Sequence, residues 1–433
     1  MQHIQGISRH QLQMSSLEDK ITADNPVRFI DAFVNHIDPV KIGFQPKILK
    51  TEGRPNFRLE VFLKLYLYGY LNGVRSSRRL EKECFRNIEV QWLLEAIYPN
   101  YHSIADFRKD NPKALKQLFK LFVSFLKDAE LIAGDTIAID GTKSRAHNSK
   151  KANYNQKKID KHKEYIQAKS QEYLDQLDQN DIQENPVAIK NIQQKIERLK
   201  QNKIKYELLE EELKNSREPQ ISTTDADART LLVQGQVVEV SYNIQAAVDS
   251  KHNLVVATHT INRNDKNALA AIALEVKENL ALETFTVLVD KGYHNGRELH
   301  TCKQNNITTI VAVPEQGKSN ENGTQPEYLV SKFIYNKENN SYTCPEGKTL
   351  TTTGSWHKKT GRTEESGYNF QKYRTPACKT CLVKGLCTSR NGGREIDRSQ
   401  YADAVEENHQ RYKDNPQLYR KRQEINEHIF GTI

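Results

Sequence analysis

Two short runs in this chain end an apolar, β-rich stretch in a carboxylate followed by Gly or Lys-Gly: residues 136–143 (TIAIDGTK) around Asp140 and residues 285–293 (FTVLVDKGY) around Asp290. Each places an acid at the exit of a buried strand, and Glu427, in the helical run 427–433 (EHIFGTI), supplies a third acid near the end. Two strand-end acids and a helical Glu make a set of oxygen donors for hard divalent cations. A pair of such ions stabilises both the attacking and the leaving oxygen of a phosphodiester. Either Asp alone reads equally well as a turn residue. Together, on strands expected to share one sheet, they point to a cation, because like charges converge only where something compensates them.

The surrounding charge fits a polyanionic partner. Lys and Arg number 64 against 55 acids, a net charge of +9, and residues 143–169 hold nine Lys or Arg against two Asp or Glu. Such a stripe is either the footprint of a nucleic-acid binder or a solvated helix. Lys143 and Arg145 after Asp140, then Lys150 and Lys151, and Lys291 after Asp290, extend from the acids toward phosphates on the first reading. Arg75, Arg78 and Arg79 offer a helix N-terminus suited to phosphate contact, although a solvated first turn has the same composition. No membrane-spanning run and no signal peptide are present in the sequence, which is read as cytoplasmic.

These residues need elements to hold them. Residues 59–71, 77–85 and 88–97 read as helices, and a Ser103-x-x-Asp106 capping box opens another over 104–128. Beyond Gly134 the pattern turns to strands at about 135–139, 242–248, 254–261, 285–289 and 308–313, with a helix at 267–280: an α/β core after an all-helical region. Residues 153–217, inserted between the first two core strands, read as an antiparallel helical hairpin with apolar positions at Ile189, Ile192, Ile196, Leu199, Ile204 and Leu208, broken at 179–186. Asp225 and Asp227 form a D-x-D loop, better explained by turn hydrogen bonds than by metal. Asp249 ends a strand in a hairpin, and Asp265 precedes a helix as its cap. Cys344, Cys378, Cys381 and Cys387 crowd the last quarter with a single C-x2-C, leaving a structural Zn²⁺ site of irregular spacing and buried free thiols both open.

With these residues in hand, the chain resembles the DDE-type transposases of bacterial insertion sequences, in the branch with an insertion between the first two catalytic acids. The resemblance rests on residues 58–83 (RLEVFLKLYLYGYLNGVRSSRRLEKE), 103–111 (SIADFRKDN), 139–150 (IDGTKSRAHNSK), 222–229 (STTDADAR), 242–256 (YNIQAAVDSKHNLVV), 289–299 (VDKGYHNGREL), 344–350 (CPEGKTL) and 378–387 (CKTCLVKGLC). It implies a helical DNA-binding domain over 1–130 and an RNase H-like core split into 131–152 and 218–315. It further implies the hairpin at 153–217 as an insertion, a cysteine-containing insertion at 316–400, and a C-terminal helix at 401–433 carrying the third acid. Asp140, Asp290 and Glu427 would bind two Mg²⁺ or Mn²⁺ ions for cleavage at element ends and strand transfer by 3′-hydroxyl attack. Terminal inverted repeats and target DNA would be the partners, bound by a dimer at least, on the bacterial nucleoid. The family places a Tyr and an Arg ahead of the helical Glu, here Tyr419 and Arg422. Arg422, also expected to contact DNA, stands five residues before Glu427 where four is common, and Ile433 comes before the family's following Lys, so the C-terminus reads as truncated. A catalytically impaired transposase acting only as a DNA-binding protein is the alternative, and a host nuclease with the same metal core is a third.

Overall fold

The computed structural model describes residues 8, 10–12, 14–45, 55–147, 150–182, 186–216, 218–234, 237–314, 324–361 and 367–432. It divides into two compact units, Met1–Phe125 and Leu126–Ile433.

The first unit is helical: α1 (Pro26–His36), α2 (Leu59–Leu71), α3 (Ser77–Arg86), α4 (Ile88–Leu93), α5 (Tyr101–Asp110) and α6 (Pro112–Asp128), the last running across the boundary. Helix α1 starts where Asn25 accepts from the Val27 N–H at 3.0 Å, with Pro26 pre-set in its first turn, and it buries Val27, Ile30 and Val34 on one stripe. A stack of Phe44, Phe62 and Phe107, with centroids 5.6 and 4.9 Å apart along the pairs through Phe107, fills the centre. The helix expected over 104–128 is two helices. Asn100, not Ser103, caps the first by accepting from the Ser103 N–H, and Pro112 forces Asn111 out of helical geometry.

The second unit is built on a mixed sheet. Its strands are β1 (Thr136–Arg145), β4 (Arg229–Gln234), β5 (Val237–Asp249), β6 (Val255–Ile261), β7 (Phe285–Val289) and β8 (Ile307–Val311), in the order β4-β5-β1-β7-β8 with β6 also on β5. Strand β5 is long enough to pair β4 along its first half and β6 along its second, on the edge away from β1. Helix α9 (Leu269–Asn279) connects β6 to β7 and α10 (Gly296–Gln304) connects β7 to β8. Ile137, Ala138 and Ile139 are buried without alternation, as in a strand covered on both faces. β1 runs six residues past the expected 135–139, because its second half pairs with β5 as far as Arg145↔Ser241.

Between β1 and β4 stand α7 (Gln156–Ile182) and α8 (Pro186–Ser216), preceded by β2 (Asn153–Tyr154) and followed by β3 (Ile221–Ser222), a strand pair that closes their base. The helices run antiparallel, with Lys163 paired to Glu210, His162 stacked on Tyr206 and Lys195 over Tyr173. Of the expected stripe, Ile192 is buried but Ile204 and Leu208 are exposed. Leu209 and Leu213 face inward instead, where Tyr154, Ile159 and Ile221 form a small core at the base. Part of the expected break at 179–186 lies outside the described residues.

The cysteine-bearing region carries a sheet that the sequence did not suggest: β9 (Ile334–Asn336), β10 (Ser341–Thr343), β11 (Thr349–Lys359), β12 (Tyr368–Arg374) and β13 (Ile396–Ser399), antiparallel throughout, with a short α11 (Lys384–Cys387). Phe333, Tyr342, Leu350, Tyr373 and Ile396 form its core. Helices α12 (Ala402–Asp414) and α13 (Pro416–Thr432) return to the main sheet, where Ile425 packs with Ala138, Val248, Leu288 and Ile310.

Asp249 does more than end a hairpin. It is fully buried, and its carboxylate accepts from the N–H groups of Ala133 (3.3 Å), Gly134 (2.8 Å) and Lys251 (2.9 Å), tying the entry of β1 to the exit of β5. Gly134 itself sits at φ 78°, a conformation that favours glycine. Asp249→Ala leaves three donors without this acceptor, and a loss of about 3 kcal/mol in unfolding free energy is expected by denaturant titration. An unchanged midpoint would show that water replaces the carboxylate.

Candidate active site

Strands β1 and β7 are parallel and in register, Thr136↔Thr286 through Ala138↔Leu288, so two residues further on Asp140 and Asp290 come level with one another just past the parallel pairing; Asp290 follows the end of β7, whereas Asp140, expected at a strand exit, stands inside β1, which continues against β5 to Arg145. Each carboxylate is fixed by the backbone that follows it. Asp140 Oδ1 accepts from the Gly141 N–H at 2.8 Å, and Asp290 Oδ1 accepts from the Gly292 N–H at 2.7 Å in the short turn Lys291–Tyr293.

Burial pushes the Asp140 carboxyl above its ordinary range, and the negative charges of Asp290 and Asp265 push in the same direction. The Gly141 N–H and Arg422 oppose them. Arg422, on α13, donates to Asp140 Oδ2 at 3.2 Å. Its helix also brings Tyr419 in: burial raises that phenol, Arg422 lowers it, and Asp290 acts on it as a nearby negative charge.

Asp265 is the residue that sequence reasoning misplaced. Its carboxylate does not cap α9, whose first turn is held instead by Glu298 accepting from the Ala270 N–H at 2.8 Å. Asp265 Oδ1 accepts from Asn243 Nδ2 (2.7 Å) and Gln245 Nε2 (2.9 Å), and Lys143 Nζ lies 3.3 Å from both of its oxygens. Asn243 and Gln245 are buried polar residues of β5 opposite Lys143 and Gly141. Polar residues inside a strand that is otherwise apolar were the available signal, since such groups need partners.

The other expected residues separate by environment. Lys143 is mostly buried on Asp265 and Arg422 is bonded to Asp140, so both are engaged by carboxylates of the site rather than turned outward. Arg145 is exposed and bonded to Glu239. Arg75, Arg78 and Arg79 are exposed at the start of α3, with Arg78 lying 5.1 Å from the Tyr101 ring centroid, and Lys150, Lys151 and Lys291 are exposed. Tyr293, beside Lys291, is fully buried and donates its hydroxyl to Gln245 Oε1. Asp225 accepts from the Tyr242 hydroxyl at 2.6 Å, the structural role expected of its loop.

Glu427 is exposed on α13. At about 100° per residue it lies roughly 140° around the helix from Arg422, the residue that meets Asp140. The sheet-facing position four residues after Arg422 is Asn426, buried with no hydrogen-bond partner for either amide atom among the described residues. The structure therefore brings Asp140 and Asp290 together and leaves Glu427 apart from them. Among the described residues no three His, Cys, Asp or Glu side chains are grouped to hold a metal ion. The two converging aspartates remain a suitable pair of hard oxygen donors, in a place where burial and mutual repulsion favour a compensating cation.

Cys344, Cys378, Cys381 and Cys387 are free, partly buried thiols lining one pocket with Phe333, Lys348 and Arg394. Cys344 Sγ accepts from the Lys348 N–H at 3.3 Å, and burial raises the Cys387 thiol, as do the three other cysteines around it. No helix among the described residues is long and apolar enough to cross a membrane.

Residues 15–110 match a family model described as "Transposase domain (DUF772)", and residues 343–433 match one described as "Transposase DDE domain". The first match holds Arg75, Arg78 and Arg79; the second holds the four cysteines, Arg422 and Glu427. Asp140 and Asp290 lie between them. No curated protein and no solved structure matches the chain.

Proposed function

We propose that this chain, one of the insertion-sequence DDE transposases, cuts phosphodiester bonds at the ends of its own DNA element and joins the freed 3′-hydroxyl to target DNA. The observation that carries the reading is the level placement of Asp140 and Asp290 just beyond the parallel pairing of the central strands β1 and β7. The strand order β6-β5-β1-β7-β8, antiparallel on one side of β1 and parallel on the other, supports an RNase H-like core with α7 and α8 as its insertion.

In this reading Asp140 and Asp290 are the principal ligands of two Mg²⁺ or Mn²⁺ ions, and Glu427 is the third acid, which must turn toward them from its exposed position. When bound, such ions supply a Lewis acid and an activated water or hydroxyl for in-line displacement at phosphorus. The chain's own groups do the positioning. Arg422, beside Asp140, donates to a phosphate oxygen laid against the acids. Lys291, exposed in the turn after Asp290, meets the backbone from the second strand. Arg75, Arg78 and Arg79 with Lys150 and Lys151, and Arg145 in addition, hold flanking DNA through phosphates. The regions 1–130, 131–152 with 218–315, 153–217, 316–400 and 401–433 then serve as DNA-binding domain, split core, helical insertion, cysteine-containing insertion and acid-bearing helix. The four thiols lining one pocket are soft donors of the kind a structural Zn²⁺ takes, and they would have to draw together to hold it. A dimer or larger assembly would hold two element ends.

The test is cleavage. Purified protein with Mg²⁺ or Mn²⁺ and a linear DNA carrying the sequences that flank its coding region should nick at the element boundaries and leave a shuffled DNA intact. Binding of the element ends with no cation-dependent cleavage would replace this reading by a DNA-binding protein without the chemistry.

A further inference from the structure

A buried network of polar side chains joins the two acid-bearing segments, and its members are spread over four elements. Tyr293, three residues after Asp290, donates its hydroxyl to Gln245 Oε1; the same amide donates through Nε2 to Asp265 Oδ1 at 2.9 Å; and Asp265 holds Lys143, three residues after Asp140, at 3.3 Å. Asn243 donates to Asp265 Oδ1 at 2.7 Å and to the Arg263 carbonyl at 3.0 Å, fixing the segment that carries Asp265. Tyr293, Gln245 and Asn243 are completely buried.

Both glycines next to the acids make room for this network. A Cβ on Gly141 would stand 2.8 Å from Asp265 Oδ1, and one on Gly292 would stand 2.9 Å from Asp290 Oδ1 and 3.7 Å from Asp265 Oδ2. Asp265 thus borders both acid-bearing segments: its first oxygen lies over the residue after Asp140, its second over the turn after Asp290. A carboxylate placed here adds negative charge to the pair, while the Gln245 bridge fixes the spacing of the two ends against the repulsion of their acids.

We propose that Asp265 is a positioning residue of the phosphoryl-transfer site, which through Gln245 and Tyr293 holds the segments carrying Asp140 and Asp290 at their working separation and strengthens their hold on divalent cations. This rests on the function proposed above. Asp265 does not itself touch DNA or ions.

The test uses the full chain, with Mn²⁺ binding by calorimetry and the Mn²⁺ dependence of end-DNA cleavage as readouts. Asp265→Asn keeps the shape and removes the charge. It should raise the Mn²⁺ concentration for half-maximal cleavage, and weaken Mn²⁺ binding, about tenfold, while end-DNA affinity stays near wild type. Asp265→Glu, which retains the charge, should recover most of the affinity. An Asp265→Asn protein with wild-type Mn²⁺ dependence overturns the proposal. Should that variant not fold, Tyr293→Phe decides, since it removes one hydroxyl and keeps the ring: an increase of about threefold in half-saturating Mn²⁺ is expected for a lost hydrogen bond, and no increase overturns the proposal. Asp140→Ala separates this from the parent reading. If Asp140→Ala still cleaves, the proposed site at Asp140 fails; if it is inactive while Asp265→Asn is unaffected, only the role of Asp265 fails.

Discussion

Asp140→Ala and Asp290→Ala each lose divalent-cation-dependent cleavage by on the order of 1,000-fold or more while still binding element ends. The expectation follows from the register of two strands. β1 and β7 put both carboxylates at one level, and burial makes the Asp140 charge costly unless a cation compensates it. Removing one leaves a single strand-end acid, which cannot hold an ion against both the attacking and the leaving oxygen. DNA affinity should change little, because the exposed basic residues of α3 and of the segment after β1 are untouched. Filter binding and single-turnover cleavage on the same preparations separate the two effects. Cleavage persisting in both variants would remove the two-aspartate mechanism.

Gly141→Ala is the second large effect, although it adds only a methyl group. The new carbon would stand 2.3 Å from Gln245 Nε2 and 2.8 Å from both Asn243 Oδ1 and Asp265 Oδ1. Each of those atoms ends a side chain that could swing aside alone. Here they are bonded to one another inside a packed core, so displacing one breaks the set. A destabilisation of about 3 kcal/mol is expected from overpacking together with a broken buried hydrogen bond, along with loss of cleavage even where the protein still folds. Denaturant titration and the cleavage assay measure the two, and a fully active, fully stable variant would show that the network yields.

What could be read from the sequence was the part written in local pattern. Residues 137–139 and 287–289 are unbroken apolar runs, and a strand buried on both faces has that composition, so Asp140 and Asp290 stood out as strand-end acids. Helices α2 and α3 and the long pair α7 and α8 were legible for the same reason, as sustained helical periodicity. Asp265 was not legible: its neighbours Asn264 and Asn267 make it look like a cap, and its true partners lie on β1 and β5, brought to it only by the sheet. Lys143 and Arg422 are expected as DNA contacts from their charge, which says nothing of direction; that both bond to carboxylates of the site emerges only from the fold. The sheet β9–β13 escaped because β9, β10 and β13 have only 3, 3 and 4 residues and β11 is exposed along most of its length; it is held by a small aromatic cluster and by Arg398, which is buried between Asp403 and Glu406 with its guanidinium 3.5 Å from the Tyr335 ring centroid. The position of Glu427 could not follow from spacing either. A shift of one residue along α13 turns a side chain by about 100°, and Asn426 takes the inward place.

The measurement closest to the central claim is the anomalous scattering of Mn²⁺ in crystals of the protein bound to its element-end DNA. A peak between the Asp140 and Asp290 carboxylates, beside the phosphate to be cut, is the predicted result; Mn²⁺ bound only elsewhere, with those two carboxylates free of metal at saturating concentration, would contradict it.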